Sequence, residues 1–347
     1  MALSEKARQI FNRQDLIEKR DLWFDRMEKL FRGENTGWNE KYVYGLNGIV
    51  SHIACNDTDA RLRAENSLEA LAAQYEALEN ETYFRPLCVE HPPYGVHFID
   101  KLLGAEVYFY AGQWYSKYLN TPVGSLKAPV LENDPLWQDC MRVAEAFVQA
   151  DVALPLFGLP TIASALNIAI NLYGERILVA MIEEPEAAQA DLNTINEVLC
   201  DIHAWYRKTV PQKQLQPVIS WNRTQPPGYG QLCGCSTHLL SPYLYGEMVA
   251  PLDDRLLALY PNGGMIHLCG SHTQHMEIFR NMPALKALQL NDDAARDFRR
   301  YYEGLRSDQI IYLNPCEGMS VEQAMDICGG DRLVIAGDLE APVLKKK

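Results

Sequence analysis

A histidine and a cysteine stand two positions apart in Met265-Ile266-His267-Leu268-Cys269-Gly270-Ser271-His272, a short apolar run that breaks at glycine. In an extended strand alternate side chains share a face, so His267 and Cys269 project together, close enough to hold one metal ion. An imidazole and a thiolate suit zinc, and a site with only three protein ligands keeps a position for substrate. The competing reading is a buried strand in which His267 is hydrogen-bonded and Cys269 packs as a small hydrophobe.

The surrounding pattern says what would position such a site. Apolar runs at 83–89, 152–157, 217–221, 264–269, 285–290, 309–313 and 332–336 are mostly followed by stretches of helical character, and another strand fits near 48–54. Strands alternating with helices imply right-handed crossovers and a parallel sheet, and eight of them predict an α/β fold of the closed (β/α)8 TIM-barrel type. Residues 1–80 read as an N-terminal helical segment and 81–347 as the barrel, in one domain without an evident linker. The runs ending at Trp221, Cys269, Leu290, Leu313 and Ala336 are expected as adjacent parallel strands. Polar groups follow strand after strand: Glu90 and His91, Asn222 and Arg223, His267 and Cys269, Asn291 and Asp292, Asn314 and Cys316, Asp338 and Glu340. In a parallel barrel these ends converge on one mouth.

Composition narrows the function classes. A net charge of -13 over 347 residues disfavours nucleic acid as a partner. Nine scattered cysteines and an N-terminus without an apolar signal core point to a reducing cytoplasm and no structural disulfides. The uncharged stretch 152–173 matches a membrane span in length, but Pro155, Gly158, Pro160, Asn167 and Asn171 make it a buried strand, a turn and an apolar helix instead.

Three segments carry a family resemblance. The stretch 173–186 (Tyr-Gly-Glu-Arg-Ile-Leu-Val-Ala-Met-Ile-Glu-Glu-Pro-Glu), the Leu239-Leu240-Ser241-Pro242 motif followed by Met248-Val249-Ala250-Pro251, and His267-Leu268-Cys269-Gly270 together resemble the uroporphyrinogen decarboxylase superfamily. The His-x-Cys-Gly motif is similar to that of its corrinoid-dependent, zinc-binding methyltransferase branch, where the His and Cys bind zinc. The resemblance spans most of 83–342 as a pattern. It departs at three places: 5–48 lacks the arginine-rich segment of the decarboxylases, 83–97 holds no match to their active-site Asp, and Gly337-Asp338-Leu339-Glu340 has no Cys where the methyltransferases place the third ligand.

Cys316 follows the neighbouring strand and is the first candidate for that ligand, Cys235 of Cys233-Gly234-Cys235 the second and Asp338 the third. With His267, Cys269 and Cys316 as metal ligands, Asn291, Asp292, Glu317 and Asp338 would orient substrate or move protons. His272 and His275 read as exposed residues of the following helix, and Cys55, Cys88, Cys140, Cys200 and Cys328 as packing or structural thiols. The resemblance implies zinc, a corrinoid (methylcobalamin) as co-substrate or on a partner protein, and a small-molecule thiol or methylated substrate. Two alternatives stand beside it: a metal-free lyase or demethylating methyltransferase of the same superfamily, and a non-catalytic tetrapyrrole-binding protein using the aromatics of 84–115.

Overall fold

The computed structural model describes residues 3–34, 43–46, 49–53, 59–79, 83–160, 163–216 and 223–337. It is a mixed α/β structure built on parallel sheets. One sheet has six strands in the order β1 (Val43–Leu46), β12 (Leu333–Gly337), β11 (Ile310–Leu313), β10 (Leu285–Leu290), β9 (Gly264–Leu268) and β8 (Gly230–Cys233). The other runs β2 (Ile49–His52), β3 (Leu87–Glu90), β6 (Leu156–Gly158) and β7 (Leu215–Gln216), and β4 (Val107–Tyr110) with β5 (Gln113–Ser116) makes a separate antiparallel hairpin. Among the described residues the strands are divided between these sheets rather than joined in one closed ring.

Parallel strands covered on both faces need apolar residues at nearly every position, which is why these runs are continuous rather than alternating. The two faces nevertheless pack differently. Ile266, Leu268, Leu285, Leu288, Leu290, Ile311, Leu313, Leu333 and Ile335 join the large core shared with the helices. Met265, Ala287, Ile310, Tyr312, Val334 and Ala336 turn the other way and meet Cys88 and Leu156 of the second sheet. Helix Gln14–Phe31 closes this inner cluster with Trp23, Phe24, Met27, Leu30 and Phe31. Each such side chain, fully buried, contributes about 1.5–3 kcal/mol.

The adjacency of the strands holding 264–268, 285–290, 310–313 and 333–337 agrees with the sequence pattern. The expected neighbour of the His267 strand does not. Residues 217–222 lie outside the described residues, the preceding Leu215–Gln216 pairs with β6, and the strand beside β9 is Gly230–Cys233. Glycine makes that neighbour possible, since a Cβ at Gly264 would stand 2.4 Å from the Gly230 carbonyl oxygen. Two strand starts can approach this closely only without side chains. The uncharged stretch 152–173 contains β6 and the buried helix Ala165–Tyr173. Among the described residues no single helix is long and apolar enough to cross a membrane; one helix pair, Ala165–Tyr173 with Glu175–Glu183, has the length and composition but bends by 109°.

Candidate metal centre

Three adjacent strands place Cys233, His267 and Gln289 in one row, because His267 is the register partner of Cys233 on β8 and of Gln289 on β10. In-register side chains of parallel strands share a face, and here it is the inner one, one pleat beyond Met265 and Ala287. Two residues further along, Cys235 and Cys269 extend the row past the strand ends. The Sγ of Cys235 lies 3.3 Å from that of Cys233 and 3.1 Å from that of Cys269, and Cys269 Sγ lies 3.0 Å from His267 Nε2. Cys233, Cys235 and His267 offer ligand atoms all within 4.8 Å of one another.

The imidazole is held in the form a metal requires. Its Nδ1–H donates to Gln289 Oε1, and Gln289 Nε2 donates in turn to Asn291 Oδ1 at 2.7 Å. With the proton fixed on Nδ1, the Nε2 lone pair points into the cluster. Arg223 Nη2 approaches that nitrogen to 3.5 Å. Burial lowers the Arg223 pKa, and the neighbouring Cys233, Cys235 and Cys269 oppose the shift.

Hydrogen bonding to Cys235 pulls the Cys269 and Cys233 thiols down against the cost of burial, with Arg223 assisting. The same two contacts push Cys235 up. Tetrahedral zinc with sulfur at about 2.3 Å spaces two sulfurs about 3.8 Å apart, so an outward shift of roughly half an ångström admits it. The donor set, thiolates and one imidazole, fits zinc.

Both loops that carry these cysteines are tied by histidines. His272 and His275 are fully buried, contrary to the exposed positions expected for them. His272 sets Nδ1 2.5 Å from the Gly270 carbonyl and Nε2 3.2 Å from the Gly234 carbonyl, the neutral ring donating to one of the two, and His275 Nε2 bonds the Thr237 carbonyl at 2.9 Å. Burial keeps His272 neutral, its pKa lowered to about 4.

The other candidates fall as follows. Cys316 directs its thiol to the Asp292 and Glu317 carbonyl oxygens at 3.6 and 3.5 Å, so the sulfur brought against Cys269 is that of Cys235. Asp292 and Glu317 have exposed side chains, and Asp338 lies outside the described residues. Asn291 reaches the centre at one remove, through Gln289. Across the inner face, His52 and Glu90 are register partners with Nε2 and Oε2 3.3 Å apart; burial raises the Glu90 carboxyl and His52 opposes the rise. His91 turns instead toward Asp139, 3.8 Å away, and burial drops its pKa to about 4. The aromatic stretch 84–115 contains the β4–β5 hairpin, whose Phe109 and Tyr110 are exposed.

Sequence reasoning missed Gln289 and gave Cys233 no role. The repeat of one spacing, Cys233-x-Cys235 beside His267-x-Cys269, was the available signal for Cys233. Gln289 carries none, because only strand register places it.

The fold is similar to that of a methyltransferase from Methanosarcina mazei, with a TM-score of 0.61 and 12% sequence identity over 90% of this chain and 92% of that one. No family model matches the sequence, and no curated protein matches it significantly.

Proposed function

We propose that this protein is a zinc-dependent methyltransferase that moves a methyl group between a corrinoid and a small thiol. The observation that carries the reading is the contact of two thiols, Cys235 and Cys269, with an imidazole whose Nε2 is left available by Gln289. The methyltransferase of shared fold and the His-x-Cys-Gly resemblance support the reaction class.

The two sheets are read here as parts of a single-domain, eight-stranded barrel with an N-terminal helical extension. β1 and β2 are separated by only two residues and count as one strand, the two-residue β7 is left out of the ring, the Ala163–Cys233 bridge joins the segment after β6 to β8, and the inner cluster draws on both sheets. The row of Cys233, His267 and Gln289 then stands at the C-terminal mouth, where such barrels build their sites.

His267, Cys235 and Cys269 would hold the metal, replacing the set with Cys316. Zinc held by these residues would supply Lewis acidity that lowers the pKa of a thiol toward neutral pH. The chain's own residues supply the rest: Gln289 and Asn291 fix the imidazole, the buried histidines hold both loops, and Arg223 offsets the negative charge of the sulfurs. The acidic surface is compatible with a protein-borne corrinoid rather than nucleic acid.

The test follows the visible spectrum of methylcobalamin, which changes on demethylation, with a panel of small thiols and zinc-loaded protein. Zinc-dependent demethylation that His267→Ala abolishes is expected. No zinc-dependent change with either free methylcobalamin or a corrinoid protein would contradict the proposal.

A further inference from the structure

We infer that Cys233 is a fourth, exchangeable donor to the metal centre, and that its sulfur is the one an incoming thiol displaces. The inference rests on the metal-binding reading above. It concerns what sets one of three neighbouring cysteines apart.

Cys233 is placed to bind, as the register partner of His267 with its sulfur 3.3 Å from Cys235. Cys233, Cys235 and His267 offer ligand atoms within 4.8 Å of one another, and with Cys269, which touches Cys235 and His267, they would make a Cys3His set, which in structural zinc sites leaves no open position. A centre that reacts with exogenous thiol must therefore release one of them. The sulfur contacts of Cys269 are Cys235 and His267, and those of Cys235 are Cys233, Cys269 and the His267 carbonyl. Cys233 differs in accepting a hydrogen bond from a side chain outside the metal donors, the Asn167 Nδ2, which donates to its Sγ at 3.5 Å.

The Asn167 amide is locked in that orientation. Its Oδ1 accepts the Ser236 backbone N–H at 3.1 Å and the Ser164 hydroxyl at 3.2 Å, leaving only Nδ2 to face the sulfur. Ser164 in turn caps the helix Ala165–Tyr173 by accepting the Asn167 N–H, so the donor stands on a fixed helix start. Cys233 thus has a hydrogen-bond donor waiting when it leaves the metal.

The exchange conserves charge. The entering thiol passes its proton to the departing Cys233 sulfur, one metal–sulfur bond forms as another breaks, and the buried centre keeps its net charge beside Arg223. A neutral exchange avoids the cost of adding an unpaired charge to a desolvated site.

X-ray absorption at the zinc edge tests this on the full-length, zinc-loaded chain, with 2-aminoethaneselenol as probe so that the entering atom is distinguishable from cysteine sulfur. The wild type should show three sulfurs and one nitrogen alone, then two sulfurs, one selenium and one nitrogen with the probe. Cys233→Ser should show two sulfurs in both states. Asn167→Leu should keep its zinc and bind the selenol about fivefold to tenfold more weakly, the loss of one hydrogen bond. Three sulfurs retained alongside selenium, two sulfurs in the untreated wild type, or unchanged selenol binding by Asn167→Leu would each overturn the inference while leaving the metal reading intact. Failure to bind zinc at all would overturn both.

Discussion

Gln289 holds His267 by its Nδ1–H from the directly paired position on the next strand, and so decides which imidazole nitrogen faces the thiols. Removing the acceptor lets the ring rotate or change tautomer. Gln289→Leu should weaken zinc binding about 10–100-fold, the usual effect of losing a histidine's outer partner. Asn291→Ala, one bond further out, should have a smaller effect in the same direction. Competition with a chromophoric chelator measures both, and equal affinities for wild type and Gln289→Leu would refute the role.

Cys235 and Cys316 are separated by replacing each with serine. Cys235→Ser should lose more affinity for zinc than Gln289→Leu, because it removes a donor rather than a donor's support. Cys316→Ser should bind zinc as the wild type does, its thiol being engaged with the Asp292 and Glu317 carbonyls. The reverse order of affinities would restore Cys316 as the ligand.

How much of this was legible in the sequence depends on which physics placed each part. His267 and Cys269 were readable because a strand puts alternate residues on one face whatever the fold around it. The strands from β9 to β12 were readable because buried parallel strands are continuous apolar runs. β8 was not, since Gly230-Gln231-Leu232-Cys233 is short, holds a glycine and a glutamine, and follows a Pro/Gly turn. With that strand unseen, Cys233 and Cys235 read as loop residues, and Cys316 seemed the nearer thiol. Burial of His272 and His275 was hidden for another reason: their partners are carbonyls of a loop more than thirty residues away, a contact no local pattern encodes.

Gly264→Ala should couple stability to the centre. The added Cβ meets the Gly230 carbonyl at 2.4 Å, so β8 must move away from β9 and carry Cys233 and Cys235 with it. A loss of about 1–3 kcal/mol in urea unfolding of the metal-free protein, typical of overpacking, should accompany weaker zinc binding. Full zinc affinity in a destabilised variant would mean that the row does not depend on this strand contact.

Asp253 gives a pH signature set mainly by burial, with Cys233 a minor contributor. Burial raises its carboxyl to about 8, and Tyr245 donates a hydrogen bond to Oδ2 at 3.2 Å. The folded state therefore holds a proton that the unfolded chain releases near pH 4, so this contribution is complete below pH 4 and is lost as pH rises to about 8. Asp253→Asn removes the titration. The stability difference, wild type minus Asp253→Asn, should fall between about pH 4 and 8 and level off above, as measured by urea unfolding. A flat difference would show that Asp253 is ionised in the folded protein.

The most direct test of the account is the metal content of the purified protein, measured by elemental analysis for wild type and His267→Ala side by side. About one zinc per chain in the wild type, lost in His267→Ala and in Cys235→Ser but kept in Cys316→Ser, is the predicted result. A wild-type protein that is folded, takes up no zinc even when it is supplied in excess, and behaves like His267→Ala would contradict it.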